Sequence, residues 1–184
     1  MKKLLVIGHA GAGKNTVSDY LVTKYGFRSY ALAAKIKGIA RDLFDYTEEQ
    51  KARFRSTLQK IGTSMREISL EEFGDRDVWL HYLANQIRMN SLFKDENVII
   101  EDVRYKNEVQ FFLDRGYTPW FVECSMHNLQ KRITKRDGKF NPGTYNHPSE
   151  TEVDELKGMF TTLDNNWDKE YLYKQIDNLM LEAK

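Results

Sequence analysis

The sequence has little of what marks a secreted or membrane-bound protein. It contains one cysteine, Cys124, and three prolines, and no apolar run approaches the length of a membrane span. A single cysteine excludes a disulfide within the chain. Because no leader and no apolar span of about 20 residues is present, the sequence predicts a soluble, cytoplasmic protein that does not contact membranes.

An excess of one charge is also lacking. Lysine and arginine, 28 in all, are balanced by 27 aspartates and glutamates, which leaves a formal net charge of +1. A nearly neutral protein has no general attraction for a nucleic acid polymer, so we expect small molecules as its partners. The four histidines are scattered without metal-ligand spacing, so no zinc site is predicted. The length of 184 residues suits one domain.

Short apolar runs alternate with helical patterns along the chain. Residues 3–7 (KLLVI) predict a buried strand, and the spacing from Lys14 to Tyr25 predicts a helix that Gly26 ends. This alternation predicts an α/β fold with a central parallel sheet. Further strands are expected near 28–32, 97–104, 118–125 and 160–163, and helices over 33–44, most of 48–93, 106–116, 127–136 and a C-terminal segment whose apolar face includes Leu172, Ile176 and Leu179.

A glycine-rich segment, GHAGAGKNT, joins the first strand to the first helix. It matches the phosphate-binding pattern G-x-x-x-x-G-K through Gly8, Gly13 and Lys14. Glycine permits the backbone to surround a phosphate, and the following helix directs its positive end at that charge. A structural glycine turn is the alternative. The predicted ATP-binding residues are Gly8, Ala10, Gly11, Ala12, Gly13, Lys14, Asn15 and Thr16.

The metal ligands implied by ATP are less clearly marked. Asn15 stands where such loops usually have serine or threonine, the side chain that holds Mg²⁺. Asn15 offers a carbonyl oxygen and Thr16 a displaced hydroxyl, and the sequence does not decide between them. Asp102, which ends the predicted strand at 97–104, completes the predicted metal set.

The glycine loop alone does not reveal what receives the phosphate. The sequence has no N-K-x-D motif for reading guanine, and the chain lacks the bulk of a motor or helicase. These absences favour a small-molecule kinase. Its fold would be the three-layer fold of P-loop kinases, with a helical insert for the acceptor and a small lid.

Four segments together resemble the phage-type deoxynucleoside monophosphate kinases, a family of the P-loop nucleoside monophosphate kinase group. They are GHAGAGKNT, LQKIGTSMR (58–66), IIEDVRYKNEV (99–109) and HPSETEVDEL (147–156). The resemblance implies ATP and Mg²⁺, transfer of the γ-phosphoryl group to a deoxynucleotide, and the host cytoplasm if a phage encodes the protein. It places the acceptor against Arg55, Gln59, Gly62, Thr63, Trp79, Asp102, Arg104 and Glu108; Lys35, Arg66 and Asn107 complete the predicted substrate-binding set.

The residue patterns support this acceptor site but leave alternatives open. Asp102 and Arg104 follow a buried strand at the sheet edge where α/β proteins bind ligands, although Asp102 could instead cap a helix or form an ion pair. Glu108 could orient Arg104 or form a surface pair four residues away. The spacing of Arg55, Gln59 and Thr63 places them on one helical face if the helix continues through Gly62, and a solvated face would show the same spacing. Trp79 suits either a stacked base or the core.

A lid is expected after the predicted helix at 127–136. Arg132 and Arg136 lie four residues apart, and residues 137–150 are rich in glycine, proline and polar turn residues. Phosphoryl transfer depends on stabilising negative charge, so Lys14, Arg104, Arg132 and Arg136 are the predicted catalytic set. A solvated basic helix end is the alternative, and His147 is expected to be a lid contact.

The predicted single domain therefore has three parts. These are a core (1–32, 94–130 and 158–184), an acceptor-binding helical region (about 33–93) and a lid (about 131–157). A kinase for another phosphorylated acceptor, of the phosphomevalonate or dephospho-coenzyme A type, and an ATP-binding regulator are the alternative functions. The sequence is compatible with a homodimer.

Overall fold

The chain folds into two compact units. The computed structural model describes residues 1–91, 95–140, 142–143 and 148–182. The first unit, here called the sheet unit, combines Met1–Ser29 with Glu96–Lys184, and the second, the helical unit, is Tyr30–Asp95. The division into core, acceptor region and lid stays a prediction.

Strands and helices alternate over most of the chain, as predicted. A short 3₁₀ helix at Glu48–Gln50 precedes the longest helix. The strands are β1 (Lys3–Ile7), β2 (Arg28–Tyr30), β3 (Val98–Val103), β4 (Thr118–Glu123) and β5 (Thr161–Asp164), and the helices are α1 (Lys14–Tyr25), α2 (Ala33–Phe44), α3 (Lys51–Phe73), α4 (Val78–Asn90), α5 (Lys106–Leu113), α6 (Met126–Asp137), α7 (Pro148–Leu156) and α8 (Lys169–Glu182).

The five strands form one sheet in the order β2-β3-β1-β4-β5. β1 lies at its centre and pairs in parallel with β3 and β4, and β4 pairs in parallel with β5. Parallel pairing places the carboxyl ends of the strands at one edge, so the segments that follow β1, β3, β4 and β5 leave the sheet on the same side. The predicted α/β fold with a parallel sheet is confirmed.

The sheet is buried on both faces. Leu4 and Val6 belong to a core that also contains Val17 and Leu21 of α1 and Ile176 of α8. The residues of opposite parity in the three central strands are buried as well, and they are Leu5, Ile7, Ile100 and Phe121. Burial on both faces explains why the strands read as continuous apolar runs instead of alternating patterns.

Helices α2, α3 and α4 build the helical unit. Trp79 of α4 is 5% exposed, and its indole N–H donates to the carbonyl oxygen of Gly62 in α3 at 3.0 Å. Gly62 also permits a close approach, since a Cβ there would lie 3.2 Å from Cδ1 of Ile36. Tyr46 packs its ring edge against Phe54. This unit therefore has its own packed interior.

The structure differs from the sequence prediction mainly at the ends of elements. β2 ends at Tyr30 instead of residue 32, β4 ends at Glu123, and α5 ends at Leu113, three residues before Gly116. Helix α7 was not predicted as a helix, because its acidic sequence was assigned to the lid. The predicted helical extension to residue 93 and the greater part of segment 141–147, including His147, lie outside the described residues. Within the described ranges, no helix is long and apolar enough to cross a membrane.

One carboxylate joins α1 to α8. Asp177 accepts hydrogen bonds from the hydroxyls of Tyr20 and Tyr25 at 3.0 and 2.7 Å and from Nζ of Lys24 at 2.8 Å. The ring of Tyr20 also stacks on Tyr173 of α8 at 3.8 Å. Partial burial alone would raise the pKa of Asp177, but the hydrogen bonds from Lys24, Tyr25 and Tyr20 outweigh it and lower the pKa. The ionised form of Asp177 therefore stabilises the fold.

Replacing Asp177 should destabilise the protein in a pH-dependent way. We expect Asp177→Ala to lower the free energy of unfolding by about 1–3 kcal/mol at pH 7, because the tyrosine hydroxyls lose their acceptor. Since the folded pKa is lowered, this contribution is present above the unfolded pKa and is lost as the pH falls below about 4. Urea unfolding at pH 7 and pH 3.5 measures both effects. The control Asn178→Ala, at an exposed position of the same helix, should change stability by less than about 0.5 kcal/mol; an equal loss in the control would contradict this role of Asp177.

Candidate active site

The glycine loop, residues 8–13, leaves the central strand at the carboxyl edge of the sheet. Gly13 has a φ of 100°, which favours glycine, and a Cβ there would overlap the side-chain amide of Asn165. At Gly8, with φ 151°, a Cβ would lie 2.7 Å from the carbonyl oxygen of Val122. Helix α1 begins directly after this loop and directs its free N–H groups toward the space above it. The predicted strand, loop and helix are confirmed, and this is the geometry that holds phosphate groups.

Two side chains from the second half of the chain hold the loop in place. Nδ2 of Asn165 donates to the carbonyl oxygen of Ala12 at 2.6 Å, and Nη1 of Arg132 donates to the same oxygen at 3.2 Å. Nη2 of Arg132 donates to the carbonyl oxygen of Asn165 at 2.8 Å, and Asn165 itself is 6% exposed. Arg132 is thus bound to the loop instead of projecting from a solvated helix end. Asn165 was missed because nothing in LDNN distinguishes it from a turn.

Lys14 is the most buried cation of the site. Its side chain is 8% exposed, and Nζ donates to the carbonyl oxygens of Gly8 at 2.6 Å and His9 at 3.0 Å. An ammonium has three N–H donors, so one remains for a phosphate oxygen. Burial, followed by the charge of Arg104, lowers the pKa of Lys14 to about 8. The ammonium is therefore held in a place where a bound anion would stabilise it.

A carboxylate of α7 completes the surroundings of the loop. Glu150 is 2% exposed; Nη1 of Arg104 contacts its Oε1 at 2.9 Å, and the amide of Ala10 contacts its Oε2 at 3.0 Å. Nδ1 of His9 lies 3.0 Å from the same Oε2, and Nε2 of His9 lies 2.9 Å from Oδ1 of Asp154. The hydrogen bond to Glu150 is the main cause that raises the pKa of His9, against the effect of burial. Sequence reasoning missed this cluster, because four charged residues within Glu150–Glu155 resemble a solvated face.

The residues after β3 occupy the same edge of the sheet. Asp102 and Arg104 are half-buried, and Asn107 is exposed in the first turn of α5. Glu108 is 6% exposed and accepts hydrogen bonds from the backbone N–H groups of Arg104 at 2.8 Å and Tyr105 at 3.1 Å. It orients Arg104 through the main chain and stabilises the start of α5. A surface pair between the two side chains, the alternative reading, is wrong because Glu108 is buried.

A cavity of about 290 Å³ opens above the glycine loop. It is lined by Gly11, Gly13, Lys14, Asn15, Arg132, Ile133 and Arg136, so three of the four predicted catalytic cations share it. Arg136 is exposed and contacts both carboxylate oxygens of Asp137 at 2.7 Å. The positive charge of the fourth cation, Arg104, contributes to the lowered pKa of Lys14. The cavity can therefore hold a polyanion between the loop and α6.

The other predicted substrate residues lie in the helical unit. α3 continues through Gly62, so Arg55, Gln59 and Thr63 do share one helical face, and all three are exposed. Arg66 lies close to Gly62, with 3.4 Å from Nη1 to the carbonyl oxygen, and Nζ of Lys35 lies 5.5 Å from the ring centre of Tyr82. Trp79, in contrast, is buried and bonded to Gly62, which is the core placement that the sequence left open. The exposed face offers a cation, an amide and a hydroxyl.

The predicted Mg²⁺ ligands lie in α1 and β3 of the sheet unit, and their role stays a prediction. Asn15 is exposed and Thr16 half-buried in the first turn of α1, and Asp102 lies at the end of the neighbouring β3, near enough for its charge to act on Lys14. No cluster of three or more acidic, histidine or cysteine ligands occurs among the residues that the structure describes. This sparse set of hard oxygen donors suits Mg²⁺, which is usually held by one or two carboxylates together with substrate phosphates.

Comparison with known proteins indicates the family and the fold of this chain. A protein of Acanthamoeba polyphaga mimivirus, provisionally named a deoxynucleotide monophosphate kinase, is 26% identical, and the alignment covers 93% of this chain and 92% of the relative. Among solved structures, TT1252 from Thermus thermophilus matches with a TM-score of 0.62 at 18% identity, covering 100% of both chains. A sugar kinase from Janibacter sp. HTCC2649 matches with a TM-score of 0.60 at 14% identity, covering 98% of this chain and 94% of the other. At these identities the two structures show a shared kinase-like fold.

The family model that matches covers most of the chain. It is AAA_18, described as an AAA domain, and it matches residues 4–152. That range contains the glycine loop, Lys14, Arg104, Arg132 and Glu150, and thus most of the groups that surround the candidate phosphate site. The chain therefore belongs to the P-loop AAA_18 kinase family.

Proposed function

We propose that the protein transfers the γ-phosphoryl group of ATP to the 5′-phosphate of a deoxynucleoside monophosphate, which yields the diphosphate and ADP, and that it is of the phage type. The observation that carries this proposal is the group of cations beside the glycine loop. Burial, and after it the charge of Arg104, lowers the pKa of Lys14, and Lys14 shares a cavity with Arg132 and Arg136. Cations held together repel one another, and a bound polyphosphate would relieve that repulsion.

Each cation has a distinct part in this proposal. Lys14 stabilises the negative charge that develops on the transferred group, while Arg104, with its planar fork, binds the phosphate oxygens. Arg132 holds the loop in its phosphate-binding shape through the carbonyl oxygen of Ala12. Arg136 provides further positive charge at the cavity. The acceptor is itself an anionic phosphate, so no strong general base is required.

Mg²⁺ would be held by Asp102 together with Asn15 or Thr16. When bound it would neutralise charge on the phosphate oxygens. The proposed acceptor-binding residues are Arg55, Gln59 and Thr63 on the exposed face of α3 in the helical unit, and Asp102, Arg104 and Asn107 in the sheet unit. The motifs that resemble deoxynucleoside monophosphate kinases and the name of the mimivirus relative both support this choice of acceptor.

A panel of acceptors tests the proposal. The protein is incubated with ATP, Mg²⁺ and each deoxynucleoside monophosphate in turn, and the products are separated by anion-exchange chromatography. We expect a deoxynucleoside diphosphate with at least one base and a loss on the order of 10²–10³-fold in kcat for Lys14→Ala. Phosphorylation of only phosphomevalonate or dephospho-coenzyme A would replace this acceptor class, and ATP binding without any transfer would favour a regulator.

Arg132 and Arg136 should respond differently to truncation. Arg132→Ala removes a support of the loop, so we expect KM for ATP to rise about tenfold or more. Arg136→Ala leaves the loop intact, so we expect mainly a fall in kcat, on the order of 10²-fold. Steady-state kinetics measure both. Lys135→Ala, an exposed cation of the same helix, is the matched control and should stay within about twofold; equal losses in all three variants would indicate a general effect of charge.

The affinity for ATP should fall above pH 8. Lys14 has a lowered pKa of about 8 in the free protein, so its charged fraction drops about tenfold between pH 7 and pH 9. If triphosphate binds the charged form, the apparent Kd rises by about the same factor and binding takes up a proton. Calorimetry in buffers of different ionisation enthalpy measures both effects. Lys14→Arg, which remains charged throughout, should show no such dependence, and a flat profile in the native protein would contradict the role of Lys14.

A further inference from the structure

Glu150 is a buried charge with specific partners. Its carboxylate is 2% exposed and contacts Arg104, the amide of Ala10 and His9, each at about 2.9–3.0 Å. Burial alone would raise the pKa of Glu150, but the hydrogen bonds from His9 and Ala10 and the charges of Arg104 and Lys14 outweigh it and lower the pKa. A buried carboxylate is costly unless it is paired and hydrogen-bonded in this way. These contacts indicate that Glu150 has a role in the site in addition to packing α7 against the sheet unit.

The contact with Glu150 restrains the guanidinium group of Arg104. Glu150 binds only Nη1, and among the described residues no other nitrogen of that guanidinium has a hydrogen-bond partner. The side chain of Arg104 is 36% exposed, so Nε and Nη2 remain available to an incoming phosphate. Since the guanidinium is planar, holding Nη1 restricts the plane in which the other donors lie. The arginine is thereby prepared to bind before a ligand arrives, which lowers the entropy lost on binding.

The contact with Ala10 restrains the glycine loop. Oε2 of Glu150 accepts from the Ala10 amide and from His9, whose carbonyl oxygen in turn accepts from Nζ of Lys14. Asp154, one helical turn after Glu150, holds the second ring nitrogen of His9 at 2.9 Å. The imidazole is thus held on both sides by α7. One carboxylate links the loop, the backbone partner of Lys14 and Arg104.

We propose that Glu150 is the positioning residue of the phosphoryl-transfer site: it orients Arg104 and fixes the first turn of the glycine loop, with His9 and Asp154 supporting it. This inference deepens the proposed function and rests on it. Glu150 does not contact the reacting groups itself; most of its effect passes through Arg104 and a smaller part through the glycine loop. A competing role has the opposite sign. If the carboxylate occupied contacts that a phosphate needs, its removal would strengthen phosphate binding.

A double-mutant cycle with inorganic pyrophosphate as the probe separates these roles. Pyrophosphate carries the charge that Lys14 and Arg104 would hold, whatever the acceptor is. The variants are Glu150→Gln, Arg104→Ala and their combination, with circular dichroism to verify that each is folded. Glu155→Gln is the matched control, because it neutralises an exposed carboxylate of the same helix whose side-chain partner is Lys106. Calorimetry measures the affinity for pyrophosphate, and the acceptor assay measures kcat.

We expect Glu150→Gln to weaken pyrophosphate binding about tenfold and to lower kcat about 10²-fold, with a further loss of only about two- to threefold, through the loop, when it is added to Arg104→Ala. The control should stay within about twofold. Asp154→Asn, at an exposed position, should lose about two- to threefold through His9. If Glu150→Gln fails to fold, the Asp154→Asn variant tests the inference, and an unchanged affinity for pyrophosphate there would overturn it.

Two other outcomes would overturn the inference. Losses that multiply in full in the double variant would show that Glu150 acts independently of Arg104, as a merely structural residue would. Tighter pyrophosphate binding in Glu150→Gln would show competition instead of positioning. If the native protein phosphorylates no deoxynucleotide, the proposed function fails while the pyrophosphate cycle still tests the link between Glu150 and Arg104.

Discussion

The site depends on keeping several cations, one of them nearly buried, beside the glycine loop. Lys14 is nearly buried, and its lowered pKa records the cost of holding a charge there next to Arg104. The carboxylate of Glu150 offsets part of that repulsion. Its own pKa is lowered in spite of burial, because His9 and the Ala10 amide donate hydrogen bonds to it and because Arg104 and Lys14 are positively charged. In a low dielectric these effects are larger than at the surface. The rest of the fold can be understood as the means of bringing these charges to one place.

The parallel sheet accomplishes this through its order. Since β1 lies between β3 and β4, the segments that follow three neighbouring strands meet at one edge. The segment after β1 is the loop, the segment after β3 carries Arg104, and α6 with Arg132 follows β4. Asn165 directly follows β5 and reaches back to the loop at Ala12. A loop with glycines at strained φ angles is thereby held by side chains distant in sequence, so its shape belongs to the whole sheet unit.

Local sequence patterns predicted most helices and strands, whereas the geometry of the candidate site depends on contacts between segments that are distant in the sequence. Helices α1 and α2 have the predicted bounds, because regular apolar spacing and the glycine at the end of α1 act within the segment itself. Lys14 was identified because its motif is continuous. Glu108 lies four residues from Arg104, as noted from sequence, but bonds to its backbone instead of pairing with it at the surface. Glu150 and His9 were missed because they contact each other across 141 residues of sequence, and Asn165 was missed because its partner Ala12 lies 153 residues away. No short-range pattern records such a contact.

Specificity for the acceptor has to come from side chains and not from the fold. The same P-loop architecture serves different acceptors. The sheet and the glycine loop therefore account for a phosphate-binding site but do not identify the second substrate. Within the helical unit, the glycine at position 62 has two consequences that bear on this. Its missing side chain lets Ile36 approach α3, and its carbonyl oxygen binds the indole of Trp79 and thereby draws that ring into the interior. Arg55, Gln59 and Thr63 remain on the exposed face of the same helix. If this face binds the acceptor nucleotide, as proposed, discrimination between bases would depend on these exposed polar side chains. A change at Gly62 would then act on them through the packing of α3.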